Sequence, residues 1–294
     1  MKRLKCMLRL TTRYDRNFMI NKILLADSGA GQTEAMLKML LEIPALQSAQ
    51  VTLLHAVPPQ ITPEALSEKW EEGAKILASA IQSTHLDPSN VSTILRQGDP
   101  KDVVCAVAEE LETDLIVMGS RGLQKLRAIL ENSVSQYVFQ LSSRPMLLVK
   151  DDIFVKRIGR ILVAIDKSDS TQRCLNLALF LANGLQGGQI ILTHAGSRDA
   201  YGKAEDDPVL APAIARVKQL GIPYRCFSST DKPGPTLCSV AEETKTDLMI
   251  LGSPDRRPSI AKSLVDLDRL VGGSTSDYVR INATCPVLLE RIPA

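Results

Sequence analysis

Two stretches of this chain repeat one another without a gap. Residues 100–120 read PKDVVCAVAEELETDLIVMGS, and residues 233–253 read PGPTLCSVAEETKTDLMILGS. They share a Pro, a Cys, Val-Ala-Glu-Glu, Thr-Asp-Leu and a closing Gly-Ser. Further on, SVSQYV at 133–138 returns as STSDYV at 274–279, and a Pro with a short apolar run follows each (PMLLV at 145–149, PVLL at 286–289). Upstream, Leu-His-Ala at 54–56 has its counterpart in Thr-His-Ala at 193–195. Self-similarity at domain length restricts the chain to two copies of one fold and excludes a solenoid of short units.

The 294 residues are 45% hydrophobic and 23% charged, enough for two full cores. The formal charge of +2 conceals an asymmetry. Residues 1–20 hold six Lys/Arg and one Asp, so the remainder is about −3. A basic surface for nucleic acid is therefore not expected. The basic stretch reads as an unstructured extension, or as the product of a start assigned upstream of Met19. It lacks the long apolar core of a secretory signal. No run of 18 apolar residues occurs, so no membrane span is expected and a cytoplasmic location is the default expectation.

Six cysteines are scattered without paired short spacing, and the histidines are only His55, His85 and His194. Cys105 and Cys238 occupy equivalent helical positions, which suggests small buried hydrophobes and no metal site.

Each copy alternates buried-strand and amphipathic-helix patterns. In the first, residues 23–26 form a short apolar run stopped by an Asp/Gly cluster, and residues 33–43 carry apolar residues at helical spacing. Residues 51–57 make a second strand ended by Pro58-Pro59, and residues 63–84 a long helix with an acidic, solvated first half. Residues 91–96 make a third, more polar strand. Asp99 is placed to cap the next helix with Pro100 at its first position. Residues 114–118 and 146–149 complete five strands, with a helix beginning near Ser133. The second copy repeats the order from Arg160, after a short charged linker at 150–159. The reading is 1–20 extension, 21–152 first domain, 153–294 second domain, each an α/β unit with a five-stranded parallel sheet between helices.

Open α/β sheets bind ligands beyond the carboxyl ends of their strands, where the strand order reverses. Asp27, Ala56-Val57 and Gly119-Ser-Arg-Gly122 converge there. Glycines let main-chain amides approach a phosphate, and Ser133 and Ser135 stand at a helix start that attracts anions. Arg121, Lys125 and Arg127 add positive charge.

Met118-Gly-Ser-Arg-Gly122, nine residues, then Asn132-Ser133, resembles the signature of the universal stress protein family: Gly, two residues, Gly, nine residues, Gly, then Ser or Thr. The resemblance covers both copies, from about residue 20 to the end. It implies tandem flavodoxin-like (adenine-nucleotide alpha hydrolase-like) domains. It also implies ATP binding, with or without Mg²⁺, in copies whose signature is intact. The residues carried over are Asp27, Ala56, Met118, Gly119, Gly122, Asn132, Ser133 and Val134. Asn132 replaces the third glycine, a residue that tolerates left-handed angles but crowds a phosphate. The second copy keeps Asp166, Ala195, Gly252, Gly273 and Ser274. It places Asp255 at the second glycine, and its stretch from Gly252 to Ser274 is eight residues longer than that from Gly119 to Ser133. Arg256, Arg257, Lys262 and Arg269 lie on that insert. The resemblance further implies pairing of last strands, here residues 146–149 against 287–290, so that the chain forms its own pseudo-dimer; a homodimer through other faces stays open.

The function expected is a nucleotide-binding stress regulator in which ATP at the first copy biases the surface offered to a protein partner. Slow hydrolysis is the most catalysis envisaged, because no residue is placed to activate water and no catalytic residue is assigned. One alternative is an ATP-independent scaffold with degenerate sites. A less favoured one is an adenylating enzyme, since Asp27-Ser-Gly-Ala-Gly31 distantly resembles a Ser-Gly-Gly loop. His55 and His194 read as hydrogen-bonded strand-end residues. A Walker loop is absent, and no acidic pair precedes Asp27 as a phospho-acceptor would need.

Overall fold

The computed structural model describes residues 19–30, 32–84, 86–120, 134–254 and 274–292. Five strands build the first unit: β1 (Lys22–Ala26), β2 (Gln50–Val57), β3 (Val91–Gln97), β4 (Leu115–Ser120) and β5 (Met146–Lys150). Its helices are α1 (Thr33–Leu41), α2 (Pro63–Thr84), α3 (Pro100–Glu110) and α4 (Val134–Leu141). The second unit follows the same order, with β6 (Arg160–Ala164), β7 (Gln189–Ala195), β8 (Tyr224–Ser229), β9 (Leu248–Pro254) and β10 (Val287–Ile292). Its helices are α5 (Asp169–Ala182), α6 (Ala211–Gln219), α7 (Pro233–Thr244) and α8 (Thr275–Asn282). Both units are the doubly wound, flavodoxin-like α/β folds expected.

All ten strands form one sheet in the order β3-β2-β1-β4-β5-β10-β9-β6-β7-β8. Within each unit the pairs are parallel. At the centre β5 and β10 run antiparallel, with Leu148 opposite Val287, Leu147 opposite Leu288 and Met146 opposite Leu289. The last strands therefore cover each other's edge, as anticipated, and neither offers an open ladder to a foreign strand. Alternate side chains feed two apolar layers, one on each face, that run across the seam: Leu25, Leu147, Val163 and Leu288 on one side, Leu24, Leu148, Leu162 and Leu289 on the other.

The repeated Thr-Asp-Leu has a structural explanation. Asp114 Oδ2 accepts the amides of Asn21 (2.8 Å) and Lys22 (2.9 Å), and Asp247 Oδ2 accepts those of Gly159 (3.0 Å) and Arg160 (2.8 Å). Each Asp pins the start of the first strand of its unit to the start of the fourth. The turn before it uses a left-handed non-glycine residue in both copies, Glu112 and Lys245. Asp99 caps α3 as expected, its Oδ1 accepting from Lys101 N at 3.0 Å, while Lys232 at the same place in the second copy makes no side-chain cap. The polar edge strands are held alike: Arg96 bonds Glu110 twice at 2.8 Å, and Arg225 reaches Glu243 at 3.2 Å.

Lys150 locks the seam. Its buried ammonium donates to the carbonyls of Ile281 (2.7 Å) and Ala283 (2.6 Å) at the end of α8, in the other unit. Cations are favoured at helix C-termini, where carbonyls lack helical partners. Arg291, at the matching place on β10, lies 4.1 Å from the Phe139 ring centre of the first unit. Lys150→Ala leaves two inner carbonyls without their donor and should cost about 1–3 kcal/mol in urea melts. An unchanged midpoint would show that the contact contributes nothing.

Candidate functional site

Strand order reverses between β1 and β4 in the first unit and between β6 and β9 in the second, so a crevice opens at the carboxyl ends of each pair. Ala26 closes β1, opposite Leu54 on one side and Met118 on the other. The Asp27 amide continues the ladder to the Leu54 carbonyl at 2.9 Å. Its carbonyl accepts from His55 Nδ1 at 2.8 Å, which assigns the His55 proton to that nitrogen. Asp27 Oδ1 accepts from Gly29 N at 2.9 Å, closing a tight turn. Gly29 sits at φ +76, and a Cβ there would meet Ile76 at 2.8 Å, so glycine is required twice over.

Register separates two aspartates that looked equivalent. Ala164 pairs with Thr193, and the Ile165 amide donates to the Thr193 carbonyl at 2.8 Å, as Asp27 N does to Leu54. The counterpart of Asp27 is therefore Ile165, a buried core residue, and the counterpart of Asp166 is Ser28. A shift of one residue reverses the face a side chain occupies. Asp27 is 6% exposed and lines a cleft of about 400 Å³ between α1 and α2, with Gly29, Thr33, Glu34, Lys38 and Ser83. Ser28 is the residue that sequence reasoning missed. Ungapped counting from Ile23-Leu-Leu-Ala26 against Ile161-Leu-Val-Ala164 would have found it.

Asp166 is engaged with the first turn of α5. Its Oδ1 accepts from Ser168 N (2.8 Å), from the Ser168 hydroxyl and from Thr171 Oγ1 (2.5 Å), and its own amide donates to Thr171 Oγ1 at 2.9 Å. Burial by itself would raise its pKa, but the Ser168 and Thr171 hydrogen bonds outweigh it and hold the carboxyl below the usual range.

Of the other candidates, Met118 is buried and Ala56, Gly119 and Val134 are half-buried at the first crevice. Gly122, Asn132, Ser133 and Gly273 lie outside the described residues, as do Asp255 and the basic residues of both loops. The two crevices differ where they can be compared. A Cβ on Gly119 would sit 3.5 Å from Thr33 Cγ2, an ordinary contact, whereas one on Gly252 would fall 2.2 Å from Ser170 Oγ and 2.5 Å from Ser170 Cβ. Near its end β9 thus approaches α5 more closely at Gly252 than β4 approaches α1 at Gly119.

The start of α8 is also occupied. Ser274 Oγ accepts from Asp277 N (3.2 Å) and donates to Asp277 Oδ2 (2.7 Å), and Ser276 Oγ lies 3.0 Å from Ser274 and 3.3 Å from Ser253. Asp277 places a carboxylate at the positive end of the helix, where an anion would otherwise rest. Gln136 holds the matching position on α4.

His194 is held by a carboxylate that sequence reasoning did not connect to it. Nδ1 lies 2.6 Å from Asp207 Oδ2, and the fully buried Asp207 also accepts from Ser228 Oγ (2.5 Å) and Val209 N (2.9 Å). Both histidines are hydrogen-bonded at strand ends, as expected. Burial pushes the Cys105 and Cys238 thiols up to about 11, which suits small hydrophobes and not nucleophiles. Among the described residues no three His, Cys, Asp or Glu side chains converge on a metal position, and no helix is long and apolar enough to cross a membrane.

These features define a class: a two-copy doubly wound α/β protein with paired carboxyl-end crevices that differ in how closely the glycine near the end of the fourth strand approaches the first helix. The chain belongs to the universal stress protein family, whose model matches residues 19–150 and again 157–291. It is similar to universal stress protein YxiE of Bacillus subtilis, 30% identical over 148 residues that span 45% of this chain and 100% of that one. Universal stress protein Sll1654 of Synechocystis is 34% identical over 116 residues, 38% of this chain and 74% of its own. A universal stress protein from Archaeoglobus fulgidus, solved as a crystal structure, superposes on 93% of this chain and 97% of its own at a TM-score of 0.73 and 24% identity.

Proposed function

We propose that this protein binds an adenine nucleotide in the first unit only, and that the nucleotide acts as a conformational switch for a partner-facing surface. The observation that carries the reading is the difference at the two glycines. A Cβ on Gly119 would make only an ordinary contact with Thr33, whereas one on Gly252 would clash with Ser170. Main-chain groups at the end of β2 around Ala56, with Ser28, would hold the adenosine, and the amides from Gly119 onward with the start of α4 at Val134 would face the phosphates. Gly122, Asn132 and Ser133 belong to the same proposed set. Asp27 contributes by shaping the loop, because its amide, carbonyl and Oδ1 are already engaged. In the second unit Asp166, Ala195, Gly252 and Ser274 keep the fold of the crevice, and Asp277 repels the anion.

The resemblance to ATP-binding family members and the neutral Gln136 at the position where the second copy has Asp277 support the reading. Ser28 in the aspartate register and Asn132 at the third glycine favour the second one, a nucleotide-independent scaffold.

Calorimetry of the full chain with ATP and Mg²⁺ tests this. One site per chain is expected, and Gly119→Val should weaken it by roughly 100-fold, about 2.7 kcal/mol. Two sites would overturn the assignment of a closed second crevice. No binding at millimolar ATP, or unchanged affinity in Gly119→Val, would overturn the site itself.

A further inference from the structure

A separate cavity lies at the seam between the units, and none of the residues assigned to the two crevices lines it. Because β5 and β10 run antiparallel, the amino ends of β4 and β5 meet the carboxyl end of β10 and the flank of α5. The space holds about 280 Å³. Ile20, Asp114 and Arg144 line it on one side, and Arg173, Leu177 and Glu290 on the other.

Two charged groups there have bonding capacity to spare. Arg144 is fixed by Nη1 on the Thr113 carbonyl (3.3 Å) and Nη2 on Glu109 Oε2 (3.0 Å). Its Nε is buried and has no acceptor among the described residues. Across the seam, Arg173 Nε (2.9 Å) and Nη2 (2.8 Å) both donate to Glu290 Oε1, so among the described residues no bond falls on Oε2. Glu290 is nevertheless only 4% exposed. Burial raises its pKa, and the Arg173 hydrogen bonds only partly oppose this. A buried donor and a buried carboxylate that are incompletely bonded are both costly.

The first unit shows that the fold does not need this ion pair. Glu290 lies opposite Gly252 as Val149 lies opposite Gly119. Ser170 and Thr33 face those two glycines, and counting on from them sets Arg173 against Met36. Met36 and Val149 are buried core residues. A buried ion pair commonly gains no stability over apolar residues of similar volume, so its presence in one copy alone points to a role besides packing.

We propose that the seam cavity binds a small zwitterion of the amino-acid class, its carboxylate accepting from Arg144 Nε and its ammonium donating to Glu290 Oε2. Among the described residues the charged groups lining the cavity are two of each sign, Arg144 and Arg173 against Asp114 and Glu290. That balance favours a ligand carrying both charges over a net anion or cation. Ile20 and Leu177 supply an apolar wall for the rest of the ligand.

The test is calorimetry of the full, nucleotide-free chain with two probes, L-leucine, whose charges are adjacent, and 6-aminohexanoate, whose charges are at opposite ends. Saturable binding of at least one, at one site per chain, is expected. Isovalerate and isoamylamine, which each carry one charge only, should bind at least about 10-fold more weakly, the weight of one charge-assisted hydrogen bond. Arg144→Gln should weaken binding by a similar factor. The double variant Arg173→Met, Glu290→Val copies the first unit; it should lose binding while keeping its urea midpoint. No heat with either zwitterion at millimolar concentration overturns the proposal. So does isovalerate binding as tightly as the zwitterions, or an affinity unchanged in both variants. Because nucleotide is left out, each result is independent of the crevices.

Discussion

Asp207→Ala should be among the most destabilising single changes in the second unit, costing about 3 kcal/mol or more, since each buried donor left without its acceptor costs about 1–3 kcal/mol. Asp207 is fully buried and accepts from three donors that are far apart in sequence: His194 on β7, Ser228 on β8 and Val209 ahead of α6. Without it, three donors lose their acceptor and the segment before α6 loses its tie to the sheet. Asp207→Asn keeps the shape and an acceptor oxygen, and should cost less. The pH dependence has a defined sign. Burial tends to raise the Asp207 pKa, but hydrogen bonds from Ser228, His194 and Val209 prevail and lower it below 3.8. A carboxyl with a lowered folded pKa contributes stability that is complete above its unfolded value and is lost as pH falls through the folded one. The gap between the parent chain and Asp207→Ala should therefore narrow below about pH 4. Urea melts at pH 7 and pH 3 measure it. An Asp207→Ala midpoint equal to the parent's at pH 7 would show that the network has no energetic weight.

Gly252→Ala should cost about 1–3 kcal/mol, the usual range for forcing a methyl group into a packed site. The new carbon would fall 2.2 Å from Ser170 Oγ and 2.5 Å from Ser170 Cβ, with Cys174 Sγ at 3.7 Å. Ser170 begins α5, whose apolar face is buried in the core, so α5 has little freedom to retreat. Gly119→Ala, at the matching place in the first unit, should stay within about 0.5 kcal/mol because its Cβ meets only Thr33 Cγ2 at 3.5 Å. Pairing Gly252→Ala with Ser170→Gly should recover much of the loss, a coupling that a double-mutant cycle isolates. Equal costs at Gly119 and Gly252 would remove the structural basis for treating the two crevices differently.

Several expectations translate directly. The last-strand pairing, the Asp99 cap and the hydrogen-bonded histidines are all present. The Asp99 cap depends on a local signal, an Asp-Pro pair, whereas the last-strand pairing was implied by the family resemblance. The Thr-Asp-Leu repeat was legible as a repeat but not as a clamp, because its partners are the amides of Asn21 and Lys22 at the start of another strand, more than 90 residues away in the chain. Asp27 was legible as a strand-end acid, yet its side chain turns to α1 and α2, while Ser28 holds the position that Asp166 has in the other copy.

By itself, the sequence determined that the chain is two doubly wound units, which residues end their strands, and that the copies diverge at the loops. Periodicity and internal repetition are properties of neighbouring residues, so they survive without knowledge of the fold. The tertiary structure decided the rest: the face Asp27 occupies, the close approach of Gly252 to Ser170, the acceptor of His194 and the lock that Lys150 makes on α8. Those depend on a one-residue register and on distances of an ångström or two between residues up to 133 positions apart. Only close packing of the whole sheet sets such distances.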